Sequence, residues 1–226
     1  MEQEQTESLI DYAYQKIKDR IQNGVYPPGT KLSTQEISDN LGVSRTPVIA
    51  AINRLVAQGL AKAIPRRGTI VAQLSILQIK DIIEVRSMIE LFSIKPAIKN
   101  VYYYPKIIER MQSISEKFNE QDKLDYSIAS ELEVEFHSLF VSLTGNEQLV
   151  KIYESNWSVG AMFYLYSISK MPLSHHEKAF NHHQNILKYL LAQDEENLRN
   201  TINEHLAFVD NTFQLYCRSN INNSYI

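Results

Sequence analysis

The sequence predicts a mainly α-helical protein that contains one short β-hairpin. Its 226 residues include only 7 glycines and 7 prolines, too few for the many turns of an all-β fold. Apolar residues recur at every third or fourth position through most of the chain, which is the spacing of amphipathic helices. With 44 % hydrophobic and 22 % charged residues, the composition is typical of a globular protein and too apolar for a disordered one.

Charged residues and histidines are distributed unevenly along the chain, which indicates two domains. Residues 1–75 contain 9 Lys and Arg against 7 Asp and Glu, whereas residues 76–226 contain 14 against 19. All 6 histidines lie at or after position 137. A basic first third joined to an acidic remainder predicts a polyanion-binding domain at 1–75 and a domain of separate function at 76–226.

Other features of the composition bear on the compartment. The single cysteine, Cys217, excludes an internal disulfide framework and favours a reducing environment. No apolar run approaches the ~20 residues that a membrane span needs. The polar, acidic start of the chain is unlike a signal peptide. We therefore expect a cytoplasmic protein that does not associate with membranes.

The first domain is predicted to contain three helices and a hairpin. Ser33, followed three residues later by Glu36, has the pattern of a capping box. Gly42 and Gly59 are expected to end the second and third helices. The predicted elements are helices at 8–23, 34–41 and 45–58 and strands at 61–64 and 69–73.

The second domain is predicted to be an all-helical bundle of six or seven helices. Breaks in the periodicity fall at Pro105, Gly145 and Pro172. Pro96 lies late in the first of these helices and is expected to kink or shorten it. The predicted helices are 76–101, 105–121, 124–144, 147–169, 173–193 and 195–218.

The order helix, helix, tight turn, helix and hairpin predicts a winged helix-turn-helix, which binds duplex DNA. In this arrangement the start of the third helix enters the major groove, and the hairpin tip reaches an adjoining groove. Ser44, Arg45 and Thr46 begin that helix and are expected to contact base edges or phosphates. Arg45 is suited to a guanine and Thr46 to a phosphate.

Basic residues elsewhere in the first domain supply further candidate DNA contacts. Arg66 and Arg67 lie at the hairpin tip, where they are placed to enter a narrow minor groove. Gly68 follows them and is expected to supply a positive φ in the turn. Lys31 and Arg54 are candidates for contacts to the DNA backbone. For Arg54, a solvated surface charge is an equally good interpretation.

About fifty residues of the first domain resemble the DNA-binding domain of GntR-type bacterial transcription regulators. The similarity lies in GVYPPGTKL at 24–32 and LGVSRTPV at 41–48, and it continues through Gly59-Leu60 and the wing at 65–68. Ile49 and Gln35 stand where the family commonly has Arg and another basic residue. The resemblance therefore implies operator binding, without implying the operator sequence that the family usually reads.

A carboxylate and three histidines in the second domain form a candidate metal site. Glu133 and His137 are four residues apart on a predicted helix, so they lie one turn apart on one face. His183 and His205 lie on two later helices, which a bundle can bring to the same interior point. Three imidazoles and one carboxylate suit a divalent transition metal ion, with zinc, nickel and manganese all plausible. The alternative is that they are hydrogen-bonded core residues. The other histidines are interpreted as surface or supporting residues: His175, His176 and His182.

The second domain is similar to the all-helical ligand-binding domain of the FadR branch of the GntR regulators, called the FCD domain. The matching stretches are EVEFH at 133–137, TGN at 144–146, HQNI at 183–186 and NEHL at 203–206. The resemblance implies that the carboxylate and three histidines bind a metal. Glu133 stands where the family usually has Asp, and Glu135 is a potential competitor for the ion.

The stretch from Arg86 to Glu90 matches an Arg-x-x-x-Glu pattern on the first helix of the FCD domain. By this resemblance Arg86 is a candidate to hold the carboxylate of an effector through a two-pronged bond. The alternative is an ion pair within the helix between Arg86 and Glu90, which on a surface contributes only about 0.3–0.5 kcal/mol. The two roles are compatible.

Together these features predict a metabolite-responsive bacterial transcription regulator and not an enzyme. It is expected to bind double-stranded operator DNA as a homodimer, because one recognition helix reads too few bases for useful specificity. A small carboxylate-bearing metabolite at or near the metal would modulate the affinity for DNA. The alternative is a helical metalloprotein, enzyme or structural, whose metal only braces the bundle. Against an enzyme, the chain has neither an H-E-x-x-H motif nor a paired E-x-x-H pattern.

Overall fold

The structure, a computed structural model, describes the backbone of residues 8–119, 126–168, 170 and 173–221. The chain divides into two compact units, which meet in sequence between Gln73 and Leu74. The first is a winged helix-turn-helix, and we call it the winged unit. The second is an all-helical bundle, and we call it the helical unit. The mainly α fold class is confirmed.

Three helices and a two-stranded antiparallel sheet make up the winged unit. Helix α1 packs against α3, and their apolar faces form the core with buried residues such as Ile17, Val48 and Leu55. Ser33 caps α2, because its hydroxyl accepts a hydrogen bond from the backbone of Glu36. The elements are α1 (Leu9–Gln22), α2 (Thr34–Leu41), α3 (Arg45–Ala57), β1 (Ala61–Ile64) and β2 (Gly68–Val71).

The bounds of the second strand differ slightly from the predicted ones. The last residue of β1, Ile64, pairs with Gly68, so β2 begins at Gly68 and ends at Val71 instead of covering 69–73. Gly68 has a φ of 92°, as expected, but Arg66 also has a positive φ, of 63°. The tip therefore places one arginine in a conformation that non-glycine residues seldom adopt.

Six helices form the described part of the helical unit, in agreement with the prediction. Helix α4 passes through Pro96 and ends at Asn100, so Pro96 does not shorten it, and the alternative expectation, a kink, stays a prediction. Proline has no N–H group to donate, so the carbonyl of Phe92 loses its helical hydrogen-bond partner. The helices are α4 (Ile76–Asn100), α5 (Pro105–Asn119), α6 (Tyr126–Ser142), α7 (Glu147–Ile168), α8 (Leu173–Leu191) and α9 (Glu195–Ile221), with a 3₁₀ turn at Val101–Tyr103.

Helix α4 packs against α6, α7 and α9, so one face of it lines the interior of the bundle. It begins with a capping box in which Ser75 and Gln78 bind each other's backbone N–H groups. Its buried face carries Arg86 and Glu90, both with no exposed surface. Within the described residues, no helix is both long enough and apolar enough to cross a bilayer.

A candidate metal centre and a candidate DNA interface

The four predicted metal ligands come together inside the helical unit. Glu133 and His137 lie one turn apart on α6, His183 comes from α8, and His205 comes from α9. One potential ligand atom from each lies within 4.8 Å of those from the other three. All four residues are buried, with between 0 % and 2 % of their surface exposed.

The distances among these groups suit ligands of a single ion. The Nε2 atoms of His137 and His183 are 3.2 Å apart, and Nε2 of His183 is 2.9 Å from Oε2 of Glu133. The Nε2 atoms of His137 and His205 are each 3.5 Å from Oε1 of Glu133. Two nitrogens bound at about 2.1 Å to one zinc ion lie roughly 3.2–3.4 Å apart at ordinary coordination angles. The donor set and its spacing therefore fit a transition metal.

Glu90 orients one of the imidazoles toward the cluster. Nδ1 of His137 is 3.1 Å from Oε2 of Glu90, and because a carboxylate can only accept, Nδ1 must donate. The lone pair of His137 is then on Nε2, where a metal needs it. Glu90 also accepts hydrogen bonds from the hydroxyl of Tyr153 at 2.8 Å and from Nε of Arg86 at 2.5 Å.

The other two imidazoles are held by packing. His183 stacks on Phe118, with ring centroids 4.5 Å apart, and His205 stacks on His137 at 4.8 Å. The Nδ1 atoms of His183 and His205 are buried and have no hydrogen-bond partner. Only His137 therefore has the carboxylate support that metal-binding histidines commonly have.

Arg86 lies directly beside the four groups. Its Nη1 donates to Oε1 of Glu133 at 3.2 Å, and its Nη2 is 3.0 Å from Nε2 of His205. The guanidinium carbon lies 3.8 Å from the ring centroid of Trp157, a cation–π contact. The pair with Glu90 exists, as the alternative interpretation held. Because it is fully buried, the small value of a surface ion pair does not apply to it.

Burial and neighbouring charges shift the protonation of the cluster. Burial alone would raise the pKa of Glu133, but His137 and His183, with the nearby His205, hold it well below its ordinary value. Burial would likewise raise the pKa of Glu90, but the charge of Arg86 and then His137 hold it far below its ordinary value. Burial lowers the pKa of His137 and His205. The carboxylates are therefore ionised and these two imidazoles neutral, which is the state that binds metal.

Two further residues considered in the sequence are not part of the cluster. Glu135 forms a two-pronged ion pair with Arg110, with both contacts at 2.6 Å, on the partly exposed side of α6. It therefore does not compete with Glu133. The ring of His182 lies edge-on against His205 and Phe208. The side chains of His175 and His176 lie outside the described part of the chain.

Helix α7 contributes residues that sequence reasoning did not single out. Tyr153 donates to Glu90, and Trp157 covers the guanidinium of Arg86. Tyr164 is also fully buried, and burial raises its pKa well above the ordinary value. The available signal was the spacing of four between Tyr153 and the only tryptophan of the chain, the same spacing as between Glu133 and His137.

In the winged unit, the start of α3 offers exposed polar groups. Ser44 is the N-cap residue, but its side chain makes no capping hydrogen bond. Arg45 and Thr46 are exposed in the first turn, and Ile49 is 47 % exposed one turn later. A helix N-terminus with exposed polar side chains in its first turn is suited to a phosphate.

The wing tip carries a second group of exposed cationic residues. Arg66, Arg67 and Gly68 are exposed, and Lys31 lies beside them because it bridges to Ile70 of β2. A Cβ atom at Gly68 would lie 3.3 Å from Cε of Lys31. Glycine at this position therefore satisfies the positive φ and leaves room for the lysine stem.

Arg54 is held within the winged unit. Its Nη1 donates to Oδ1 of Asp11 at 2.8 Å, and its guanidinium carbon lies 4.0 Å from the ring centroid of Tyr14. About half of each charged side chain is exposed. The pair connects α3 to α1. This role is closer to the interpretation of Arg54 as an ordinary surface charge than to its interpretation as a contact to the DNA backbone.

A winged helix-turn-helix with exposed arginines, joined to a helical bundle with a buried cluster of potential ligands, defines a class of bacterial regulators. Residues 9–71 match the family described as bacterial regulatory proteins, gntR family. Residues 81–208 match the FCD domain. The chain belongs to the GntR family of transcriptional regulators, in the FCD-containing branch.

Individual relatives agree with this assignment. The chain is 40 % identical to an HTH-type transcriptional regulator of Agrobacterium vitis over 81 residues. These residues are 36 % of this chain and 47 % of the relative. It is 27 % identical over 191 residues to the regulator McbR of Escherichia coli K12, covering 83 % and 85 %. The solved structure of E. coli McbR has the same fold, with a TM-score of 0.74, 23 % identity, and coverage of 92 % of this chain and 99 % of that one.

Proposed function

We propose that this chain is a metabolite-responsive bacterial transcription regulator that binds operator DNA as a dimer. A small organic-acid effector, bound at or near a divalent transition metal ion in the helical unit, modulates its affinity for DNA. The observation that carries the proposal is the convergence of Glu133, His137, His183 and His205 in a chain that also has a winged unit. A role in binding chromosomal DNA places the protein in the cytoplasm.

The proposed metal is held by those four side chains, through three imidazole nitrogens and one carboxylate oxygen. When bound, it supplies a Lewis-acidic centre at which a carboxylate can complete the coordination. With neutral imidazoles, the charges of Arg86, Glu90 and Glu133 sum to −1 in the buried region. A divalent ion changes this sum to +1, which favours an anionic effector. Three nitrogen ligands suit zinc or nickel, and manganese is also compatible with the carboxylate.

Elemental analysis of protein purified without a chelator tests the metal. We expect about one equivalent of a transition metal per chain, because a site with preformed ligands retains its ion. Less than about a tenth of an equivalent, with no recovery after adding zinc, nickel or manganese, would show that these histidines are ordinary core residues.

The proposed DNA contacts are made by the start of α3 and by the wing. Ser44, Arg45 and Thr46 enter the major groove, and Arg66 and Arg67 bind beside it with Gly68 at the turn. Lys31 contacts the backbone, and Arg54 is a further backbone candidate. Footprinting on genomic fragments should reveal a protected site at physiological salt. Equal affinity for that site and for random duplexes would refute sequence-specific reading.

The proposed dimer forms at least partly through α4 of the helical unit. Met88 and Phe92 are 65 % and 63 % exposed on one stripe of this helix, with Val85 partly exposed one turn earlier. If two copies of α4 pair antiparallel about Met88, Lys95 of each lies opposite Asp81 of the other, so the stripe is complementary in charge to itself. A dimer would present two recognition helices to half-sites about 34 Å apart.

Light scattering tests the dimer. Met88→Glu is expected to shift the mass toward 26.1 kDa, the mass of one chain, because it places like charges at the centre of the pairing. Tyr103→Glu, at an exposed position outside α4, is the matched control and should leave the mass unchanged. A wild-type mass of one chain at micromolar concentration, with and without operator, would exclude the dimer.

The complete burial of the cluster favours a second candidate function, in which the metal only braces the bundle. Chelation distinguishes the two. For a bracing metal, chelation melts the helical unit, and no carboxylate metabolite changes the affinity for operator DNA. For an effector site, at least one small organic acid changes operator affinity in the metal-loaded protein and has no effect after chelation.

A further inference from the structure

Ile49 lies on the exposed face of α3, and our inference about it rests on the DNA-binding function proposed above. We infer that Ile49 reads a thymine of the operator through the thymine C5-methyl group in the major groove. Each copy of the chain then requires a T·A or A·T pair at one position that Arg45 does not contact. The operator differs at that position from one that is read by arginine, which selects guanine.

Ile49 belongs to the same face of α3 as the residues proposed to contact DNA. It lies one turn after Arg45 and three residues after Thr46, so helical periodicity places the three side chains on one face. Arg45 and Thr46 are exposed, and Ile49 is 47 % exposed. The residues of the other face are buried: Pro47, Val48, Ala51, Ile52 and Leu55. A duplex bound by Arg45 and Thr46 therefore also meets Ile49.

The chemistry of Ile49 sets it apart from the other exposed residues of this helix. Among the residues of α3, all of which the structure describes, it is the only large hydrophobic one that is exposed. An aliphatic side chain has no donor for a phosphate. Packing it against a phosphate would remove water from the oxygens without compensation. Ile49 is therefore suited to a base edge and not to the DNA backbone.

The major groove offers one apolar group to such a side chain. The C5-methyl group of thymine is apolar, whereas the other groups that distinguish the base pairs there are hydrogen-bond donors and acceptors. Against a G·C pair, isoleucine would cover these polar groups and leave them without a partner, which is unfavourable. Branching at Cβ restricts χ1 of isoleucine in a helix, so its methyl groups are held in place before DNA binds. Contact with thymine and the penalty at G·C therefore favour the same base pair.

The geometry of α3 also predicts where this thymine lies. Arg45 is the first residue of the helix and Ile49 is the fifth. Four residues of α-helix rise about 6 Å, and neighbouring base pairs are about 3.4 Å apart. The thymine is therefore expected about one or two base pairs from the pair that Arg45 reads.

Gln35 of α2, the other exposed position at which the sequence departs from the family pattern, is engaged by a neighbouring carboxylate. Its Nε2 donates to both carboxylate oxygens of Asp39, at 2.7 and 2.8 Å. A glutamine that reads adenine uses its amide hydrogens for the base. Because Asp39 already accepts from this amide, the reading of bases is expected from α3.

Replacing single thymines by uracil in the duplex protected in footprinting tests the inference, because uracil lacks only the C5-methyl group. In gel-shift titrations of the full chain, uracil at one thymine of a half-site should weaken wild-type binding about three- to five-fold, the effect of one buried methyl group. Changing both half-sites should weaken it about ten-fold or more, because contributions from separate sites add in free energy. This thymine should lie beside the base pair at which Arg45→Ala relaxes the preference.

Two variants assign the effect to Ile49. In Ile49→Ala, the same uracil substitution should have no effect, because the side chain that contacts the methyl group is missing. Ile10→Ala is the matched control, since it makes the same change at an isoleucine of α1 that is 42 % exposed. It should remain as sensitive to uracil as the wild type. Both positions are exposed, so circular dichroism should show that both variants are folded.

The inference and the proposed function fail in different ways. Loss of uracil sensitivity in Ile49→Ala, with sensitivity retained in Ile10→Ala, supports the inference. If the wild type prefers its protected site over random duplexes, but Ile49→Ala abolishes the effect of uracil at no position, the inference is overturned and DNA binding stands. If no site is protected, sequence-specific DNA binding is refuted, and the inference with it.

Discussion

Arg86 of the helical unit lies in an environment opposite to that of the arginines at the start of α3 and at the wing tip of the winged unit. In the winged unit, Arg45, Arg66 and Arg67 are exposed, whereas in the helical unit Arg86 is completely buried and bound to Glu90, Glu133 and His205. An exposed guanidinium is hydrated and can exchange water for a phosphate. A buried one must be paired, because an uncompensated buried charge costs several kcal/mol. A sequence motif is therefore enough to propose a DNA-contacting role for a surface arginine. The partners of a buried arginine depend on how the whole bundle packs.

The ion pairs of the two units show the same contrast. Arg54 and Asp11 are 2.8 Å apart with about half of each side chain exposed, whereas Arg86 and Glu90 are 2.5 Å apart with none exposed. Water and salt screen the first pair and not the second. Substitutions at the two pairs should therefore differ strongly in effect.

The largest expected effect is a loss of metal binding by the helical unit that leaves DNA binding by the winged unit intact. His183→Ala removes one of four proposed metal ligands and should lower zinc affinity by more than about 100-fold, because loss of a merely supporting residue already costs 10–100-fold. Its affinity for random duplex DNA should be unchanged, since the winged unit is intact. His205→Ala should behave in the same way. His182→Ala, which removes a neighbouring histidine outside the cluster, should cost far less. Equal losses for His183→Ala and His182→Ala would contradict the assignment of ligands.

The next prediction compares a substitution in the buried ion pair of Arg86 and Glu90 with one in the exposed ion pair of Arg54 and Asp11. Glu90→Gln leaves Arg86 without its closest carboxylate and should lower the free energy of unfolding by about 3 kcal/mol or more. Asp11→Asn should produce a much smaller change, because its pair is exposed. Urea denaturation followed by circular dichroism measures both. Similar changes for the two variants would show that burial does not govern these pairs.

A smaller effect distinguishes two arginines of α3. Arg45→Ala should weaken operator binding by about 1–3 kcal/mol and relax the preference at one base pair. Arg54→Ala should lose less, because Arg54 is bound to Asp11 and Tyr14. Gel-shift titrations at one salt concentration, on operator and random duplexes, measure the difference. A greater loss of operator affinity for Arg54→Ala than for Arg45→Ala would show that the base-reading role of Arg45 is wrong.

A further expected effect is the pH dependence of the metal-free helical unit. Burial lowers the pKa of His137 and His205 below the ordinary value of 6.5. As the pH falls below about 6.5, the unfolded chain takes up protons that the folded chain does not, so stability declines by up to about 1.4 kcal/mol per pH unit for each histidine. Glu90 and Glu133, whose pKa values are lowered, destabilise the fold only below their ordinary value of 4.5.

Trp157 fluorescence follows this unfolding, since the only tryptophan lies in the helical unit. Urea midpoints of the chelated protein should fall between pH 7.5 and pH 5.5. The winged unit contains no histidine and lacks this source of pH dependence. Constant stability of the helical unit over this range would contradict neutral, buried imidazoles.

Helix boundaries set by local signals were predicted well. Helix α2 occupies Thr34–Leu41, the predicted 34–41, because Ser33 caps its start and Gly42 ends it in a left-handed conformation. The strand β2 was displaced, since its start depends on pairing with Ile64 across the hairpin. The shortening considered at Pro96 did not occur, because α4 continues through it to Asn100. Whether a proline ends a helix depends on what its surroundings offer to the freed carbonyl.

The sequence by itself predicted the two-unit organisation, the helices and the start of α3, because these follow from the charge distribution, periodicity and capping residues. It predicted the four potential ligands only with the help of the resemblance to the FCD domain, since their spacing alone is a weak signal. Only the tertiary structure decided that helices α6, α8 and α9 bring those ligands together and that Glu135 turns away to Arg110. It also decided that Arg86 contacts two of the ligands. The physical reason is that a buried charge takes whichever partners the packing supplies, and contacts between distant helices leave no periodic trace in the sequence.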